Sequence, residues 1–86
     1  MRHRFTPKGV CANKIEFDLT NGNIHDLVFT SGCNGNLKAI AKLVEGMEAN
    51  RVVMLLSGNT CGMNNTSCAD QLARAIEAAQ KTEKNK

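Results

Sequence analysis

The run KIEFDLTNGNIHDLVFT, residues 14–30, decides how this chain folds. Ile15, Phe17 and Leu19 alternate with Glu16 and Asp18, a period of two that gathers the apolar side chains on one face of a strand. Asn21-Gly22-Asn23 interrupts that pattern, and a second strand-forming run, Ile24 to Thr30, follows it, so the segment reads as a β-hairpin. The loop length sets the register. A three-residue loop places His25, Leu27 and Phe29 on the face of Ile15, Phe17 and Leu19, whereas a two-residue loop sets Asp26 opposite Phe17. The sequence favours the three-residue loop, with Gly22 supplying a positive φ.

Three helices are expected after the hairpin, each carrying apolar residues at the i, i+3, i+4 spacing that forms one stripe. The first uses Leu37, Ile40, Ala41 and Val44, with Gly46 placed to stop it. The second uses Ala49, Val52, Val53 and Leu56 and ends at Gly58. The third uses Ala69, Leu72, Ala73, Ile76 and Ala79, and Ser67 followed by Asp70 forms a capping-box entry. The fold class is therefore α+β, an N-terminal β-hairpin packed against three helices in a single small domain. Residues 1–9 read as a basic arm, 10–80 as the domain and 81–86 as a charged tail.

Eighty-six residues suffice for one domain. With three Phe, no Trp and no Tyr the core is aliphatic and alanine-rich, and a core of this size supplies about 3–5 kcal/mol by itself. A catalytic machine with its own substrate cleft is not expected. The net charge of +3 is misleading as a guide to partners. Arg2, Arg4, Lys8, Lys81, Lys84 and Lys86 lie at the ends, while residues 9–80 hold five basic and seven acidic side chains. A nucleic-acid surface would have to be built from the tails, so nucleic acid is not the expected partner. The longest apolar run is Val52 to Leu56, too short for a signal peptide core or a membrane span. The expectation is a cytoplasmic protein with no membrane partner.

Four cysteines carry the chemistry: Cys11, Cys33, Cys61 and Cys68, each in or beside a turn-rich segment. Cys33 sits in Ser31-Gly32-Cys33-Asn34-Gly35-Asn36, where the second strand passes into the first helix and glycine permits a tight nest of backbone N–H groups. Cys68 follows the expected N-cap Ser67 and occupies the first helical position, where the helix end favours thiolate over thiol. Cys61 and Cys68 flank one loop, and Cys11 just precedes the hairpin. In a reducing cytosol four thiols point to metal ligation or redox work rather than permanent disulfides. Four thiolates suit zinc in a closed structural site, with Zn–S bonds of ~2.3 Å, and equally an iron-sulfur cluster. The gaps between these cysteines contain no Cys-x-x-Cys pair, so spacing does not choose between the two. Burial as small apolar side chains is the remaining reading, strongest for Cys11. His3 falls in the arm, His25 reads as a half-buried, hydrogen-bonded side chain on the face of Leu27 and Phe29, and Asp70 reads as a helix cap. The asparagines at 59, 64 and 65 suit turns.

Gly9-Val10-Cys11, GCNGNLKAIAKLVEGM from Gly32 and CGMNNTSCADQLARAI from Cys61 together closely resemble the TSCPD domain. The resemblance covers residues 9 to about 79, and the family's four cysteines fall on Cys11, Cys33, Cys61 and Cys68. Ala69 stands where the family's name has Pro, a mild departure because Pro at a helix start stiffens the turn rather than ligating. That family occurs at the C-terminus of vitamin B12-dependent ribonucleotide reductases and as small free-standing proteins. The resemblance implies that the four cysteines bind metal, and that any reductase label would describe kinship or partnership, since 86 residues cannot hold the reductase barrel. A cysteine before a hairpin, then Gly-Cys at a helix start, is also similar to the iron-sulfur cluster assembly scaffold family over residues 11 to 46.

The expectation is thus a metal-binding accessory module related to the C-terminal domain of adenosylcobalamin-dependent ribonucleoside-diphosphate reductase. Its ligands would be the four cysteines, its cofactor zinc or else an iron-sulfur cluster, and its partner a ribonucleotide reductase or a thioredoxin-like protein. Two rivals remain open: a dithiol relay between Cys61 and Cys68 that serves a reductase, and an iron-sulfur carrier.

Overall fold

The structure is a computed structural model that describes residues 1–10, 12–31, 34–59 and 66–84. Three antiparallel strands, β1 (Arg2–Phe5), β2 (Lys14–Thr20) and β3 (Asn23–Thr30), lie side by side in that order. Three helices follow, α1 (Asn34–Val44), α2 (Ala49–Leu56) and α3 (Cys68–Lys84). This is the expected α+β domain with one strand more than the hairpin.

The added strand comes from the segment that reads as a basic arm. Arg2 and Arg4 point outward, opposite Asp18 and Glu16, and pair with them at 3.4 and 3.2 Å. His3 and Phe5 alternate inward, opposite Phe17 and Ile15. The imidazole of His3 lies 5.7 Å from the Phe17 ring, and its Nε2 is 2.5 Å from Glu83 Oε2 near the end of α3. His3 therefore closes the core rather than trailing in an arm. Lys81 to Lys84, read as the start of a tail, continue α3.

The hairpin turns on two residues. Thr20 pairs with Asn23, and Asn21 and Gly22 both have positive φ, 53° and 81°, the pair of left-handed residues that matches strand twist in a tight hairpin. This corrects the three-residue loop. The shorter loop sends Ile24, fully buried, to the core opposite Leu19, and sends His25 outward opposite Asp18. A bulge then restores the apolar phase. Between the pairs Asp18–His25 and Glu16–Val28, β2 spends one residue and β3 two. Asp26 takes up the excess at φ 52°, and Leu27 and Phe29 return to the core side. Glu45 holds the bulge by accepting the Asp26 N–H at 2.9 Å and meeting His25 Nδ1 at 2.8 Å, contacts that keep its carboxyl below the usual range. His25 is thus half-buried and hydrogen-bonded as expected, on the opposite face from Leu27.

The α1–α2 connection docks on the hairpin end. Gly46 N–H donates to Ile24 O, Ile24 N–H to Met47 O and Ala49 N–H to Gly22 O, at 2.7 to 2.9 Å. Gly46 and Gly58, both at φ 78°, follow the helices they were expected to stop. Helix α3 lies against the sheet on one side and α2 on the other, which is why it is buried over a wide arc from Ala69 to Ala73 and again at Ala75, Ile76 and Ala79. Small alanines there permit close approach of both neighbours. Phe17, Ile15, Ile24, Leu72, Ile76 and Val52 are the large side chains fully removed from water. Among the described residues no helix is long and apolar enough to cross a membrane.

Candidate functional site

Of the four cysteines, Cys68 falls within the described residues; Cys11, Cys33 and Cys61 lie outside them. Cys68 is a free, half-buried thiol at the first position of α3. The residue before it caps the helix. Ser67 Oγ accepts the N–H of Asp70 at 3.1 Å, which satisfies one of the orphan donors of the first turn. The same hydroxyl donates to Asn59 O, two residues before Cys61.

Asp70 does more than enter the helix. Its side chain is buried, and its carboxylate accepts the N–H of Gly58 at 2.8 Å on Oδ1. Oδ2 accepts Thr66 Oγ1 at 2.5 Å and Arg74 Nε at 3.0 Å. The Thr66 hydroxyl and the Gly58 amide hold the Asp70 carboxyl below its ordinary value against the opposing effect of burial, and Arg74 adds to the effect. Gln71, also buried, accepts the N–H of Lys8 at 3.2 Å and donates to Thr66 Oγ1 at 3.0 Å. No buried side-chain polar atom among the described residues is left unpaired.

Four side chains, Thr66, Ser67, Asp70 and Gln71, thus tie together Lys8, Gly58, Asn59 and the start of α3. A further pair of contacts joins the flanks of Cys11 and Cys33. Asn13 N–H donates to Thr30 O at 2.7 Å and Asn13 Nδ2 to Ser31 Oγ at 3.1 Å. Lys8 and Asn13 bracket Cys11, Thr30 and Ser31 precede Cys33, Gly58 and Asn59 precede Cys61, and Thr66 and Ser67 precede Cys68.

Cysteine sulfur is a soft donor, of the kind that zinc or an iron-sulfur group would take. Among the described residues no group of three or more His, Cys, Asp or Glu side chains is arranged to hold an ion. The contacts of Asp70 and Gln71 are not legible in the sequence. The available signal was Ser67-x-x-Asp70, which speaks only of a helix cap. That the carboxylate reaches a glycine 12 residues back is a tertiary fact.

Comparison with known protein families matches the TSCPD domain over residues 1–80. No curated protein and no solved structure is matched.

Proposed function

The chain belongs to the TSCPD domain family, and from that membership we propose that it is a four-thiolate metal-binding accessory module with Cys11, Cys33, Cys61 and Cys68 as ligands. Zinc is the first choice of metal. The module is kin to the C-terminal domain of B12-dependent ribonucleotide reductases and serves such a reductase as partner, not as a reductase in itself.

One observation carries this reading: described neighbours of the four cysteines fall into two hydrogen-bonded sets, one beside Cys11, Cys61 and Cys68 and one beside Cys11 and Cys33. Lys8, Gly58 and Asn59 are joined to residues 66–71, and Asn13 to Thr30 and Ser31. The contacts reach from Lys8 to Gln71 and from Asn13 to Thr30, and both begin in the segment that carries Cys11, which supports a ligand set drawn from all four segments. The energetics favour occupancy. A structural zinc site contributes about 10–16 kcal/mol of apparent binding free energy, which exceeds what a core of this size supplies. Zinc also has no redox chemistry, which suits a closed four-thiolate site in an accessory domain.

Elemental analysis of the full chain, purified under reducing conditions without added metal, tests the reading. The expected result is about one equivalent of zinc per chain, lost on replacing any of the four cysteines by serine. Less than about a tenth of an equivalent of zinc and iron together overturns it. A reversible Cys61–Cys68 disulfide in metal-free protein would point to the dithiol relay instead. Capture of a reductase subunit by the tagged chain from its native cell is the expected result for the partnership, and a capture without one counts against it.

A further inference from the structure

Asp70 is 3% exposed, and an aspartate is almost never so buried unless its charge is fully answered. Helix capping does not explain it, because the cap is made by Ser67 Oγ and not by the carboxylate. Nor does the Arg74 pair. The guanidinium side chain is 61% exposed, and an i,i+4 pair of that kind stabilises little. What the burial achieves is a junction: the carboxylate joins Gly58, just past α2, to Thr66, just before α3, and Gln71 adds the distant Lys8 to the same cluster through Thr66. Gly9 runs beside it, since a Cβ on Gly9 would lie 3.7 Å from the Thr66 methyl.

We propose that Asp70, Thr66 and Gln71 are positioning residues that set three of the four cysteine-bearing segments in place before metal arrives. The proposal rests on the four-thiolate reading. Each tether stands two or three residues from a cysteine: Lys8 before Cys11, Gly58 before Cys61, Thr66 before Cys68. Ordering those segments in the metal-free protein removes that entropy cost from the binding step, so the junction sets affinity. The thiols alone set the identity of the donors. Contacts that orient ligands in this way typically change metal affinity by about 10–100-fold.

The test compares zinc affinity, by chelator competition, in the wild-type chain, Thr66→Val, Asp70→Ala and Asp70→Asn, with Ile76→Val as a core control away from the junction. Thr66→Val keeps the β-branched shape and removes one hydroxyl. It is expected to weaken zinc binding about tenfold, Asp70→Ala about a hundredfold, and Asp70→Asn by less than Ala because it keeps an acceptor for Gly58. Ile76→Val should stay within about twofold of wild type although it lowers folding stability. The thiolate charge-transfer absorbance of cobalt-saturated protein should be the same in all, since no donor changes. In metal-free protein, amide exchange at Gly58 should quicken at least about tenfold in Asp70→Ala. If Asp70→Ala does not fold, Thr66→Val decides. Wild-type affinity in Thr66→Val, or an equal loss in Ile76→Val, overturns the positioning role and leaves the four-thiolate reading standing. A wild-type chain that takes up neither zinc nor cobalt overturns both.

Discussion

The carboxylate of Asp70 shows how much one side chain can do when its second role is invisible in its neighbours. Ser67-x-x-Asp70 announces a helix start, and the helix does begin at Cys68. The carboxylate spends itself elsewhere, on Gly58, Thr66 and Arg74. Because these contacts favour the charged form, the folded chain gives up the Asp70 proton at lower pH than the unfolded chain does. The resulting stability is complete above the ordinary value of 3.8 and fades as pH falls through and below it. Thermal melts of metal-free protein between about pH 6 and about pH 3 should therefore show a steep acid-side loss that becomes shallower in Asp70→Asn. An unchanged slope in that variant would mean that the carboxylate is not stabilised by folding. Glu45 has the same sign of shift, but it sits in water and its effect is screened.

At the scale of elements, β1 and the hairpin register depart most from the sequence reading. RHRF reads as a basic arm because its charges dominate. Its period of two becomes visible only once Asp18 and Glu16 stand opposite Arg2 and Arg4, and Phe17 and Ile15 opposite His3 and Phe5. Reversing one charge tests this register. Arg4→Glu puts like charges directly opposite and should cost about 0.2–1 kcal/mol in urea unfolding, and the further change Glu16→Arg should recover most of it. Additive losses in the double variant would show that the two residues do not face each other. The hairpin loop is shorter than expected because Asn21 tolerates the left-handed region nearly as Gly22 does, and the bulge at Asp26 repairs the phase. The three helices, by contrast, follow their apolar stripes closely, each ending near the glycine or charge that local chemistry supplies.

On the scale of the whole molecule, the Cα radius of gyration of 11.8 Å matches the ~12 Å expected of one domain of this length. Helix α3 packs against α2 and against strands β1 and β2. Substitutions should therefore divide sharply by depth. Ile76→Val, at a position with no exposure, should cost about 0.5–1.5 kcal/mol, whereas Leu43→Ser, on a residue 75% exposed, should stay within about 0.5 kcal/mol. Equal effects in chemical denaturation would mean that Leu43 is covered in solution.

The residues by themselves determined the α+β class, the hairpin, the three helices with their stops, the cap at Ser67 and, through the cysteine-bearing stretches, the family. The family follows from resemblance of those stretches; the rest follow from contacts between near neighbours in the chain, whose spacing is written directly in the sequence. The third strand, the two-residue turn with its compensating bulge, and the Asp70 junction were decided by the tertiary structure. Each depends on which distant groups end up facing one another, and burial of the shared core, rather than any local preference, selects those partners.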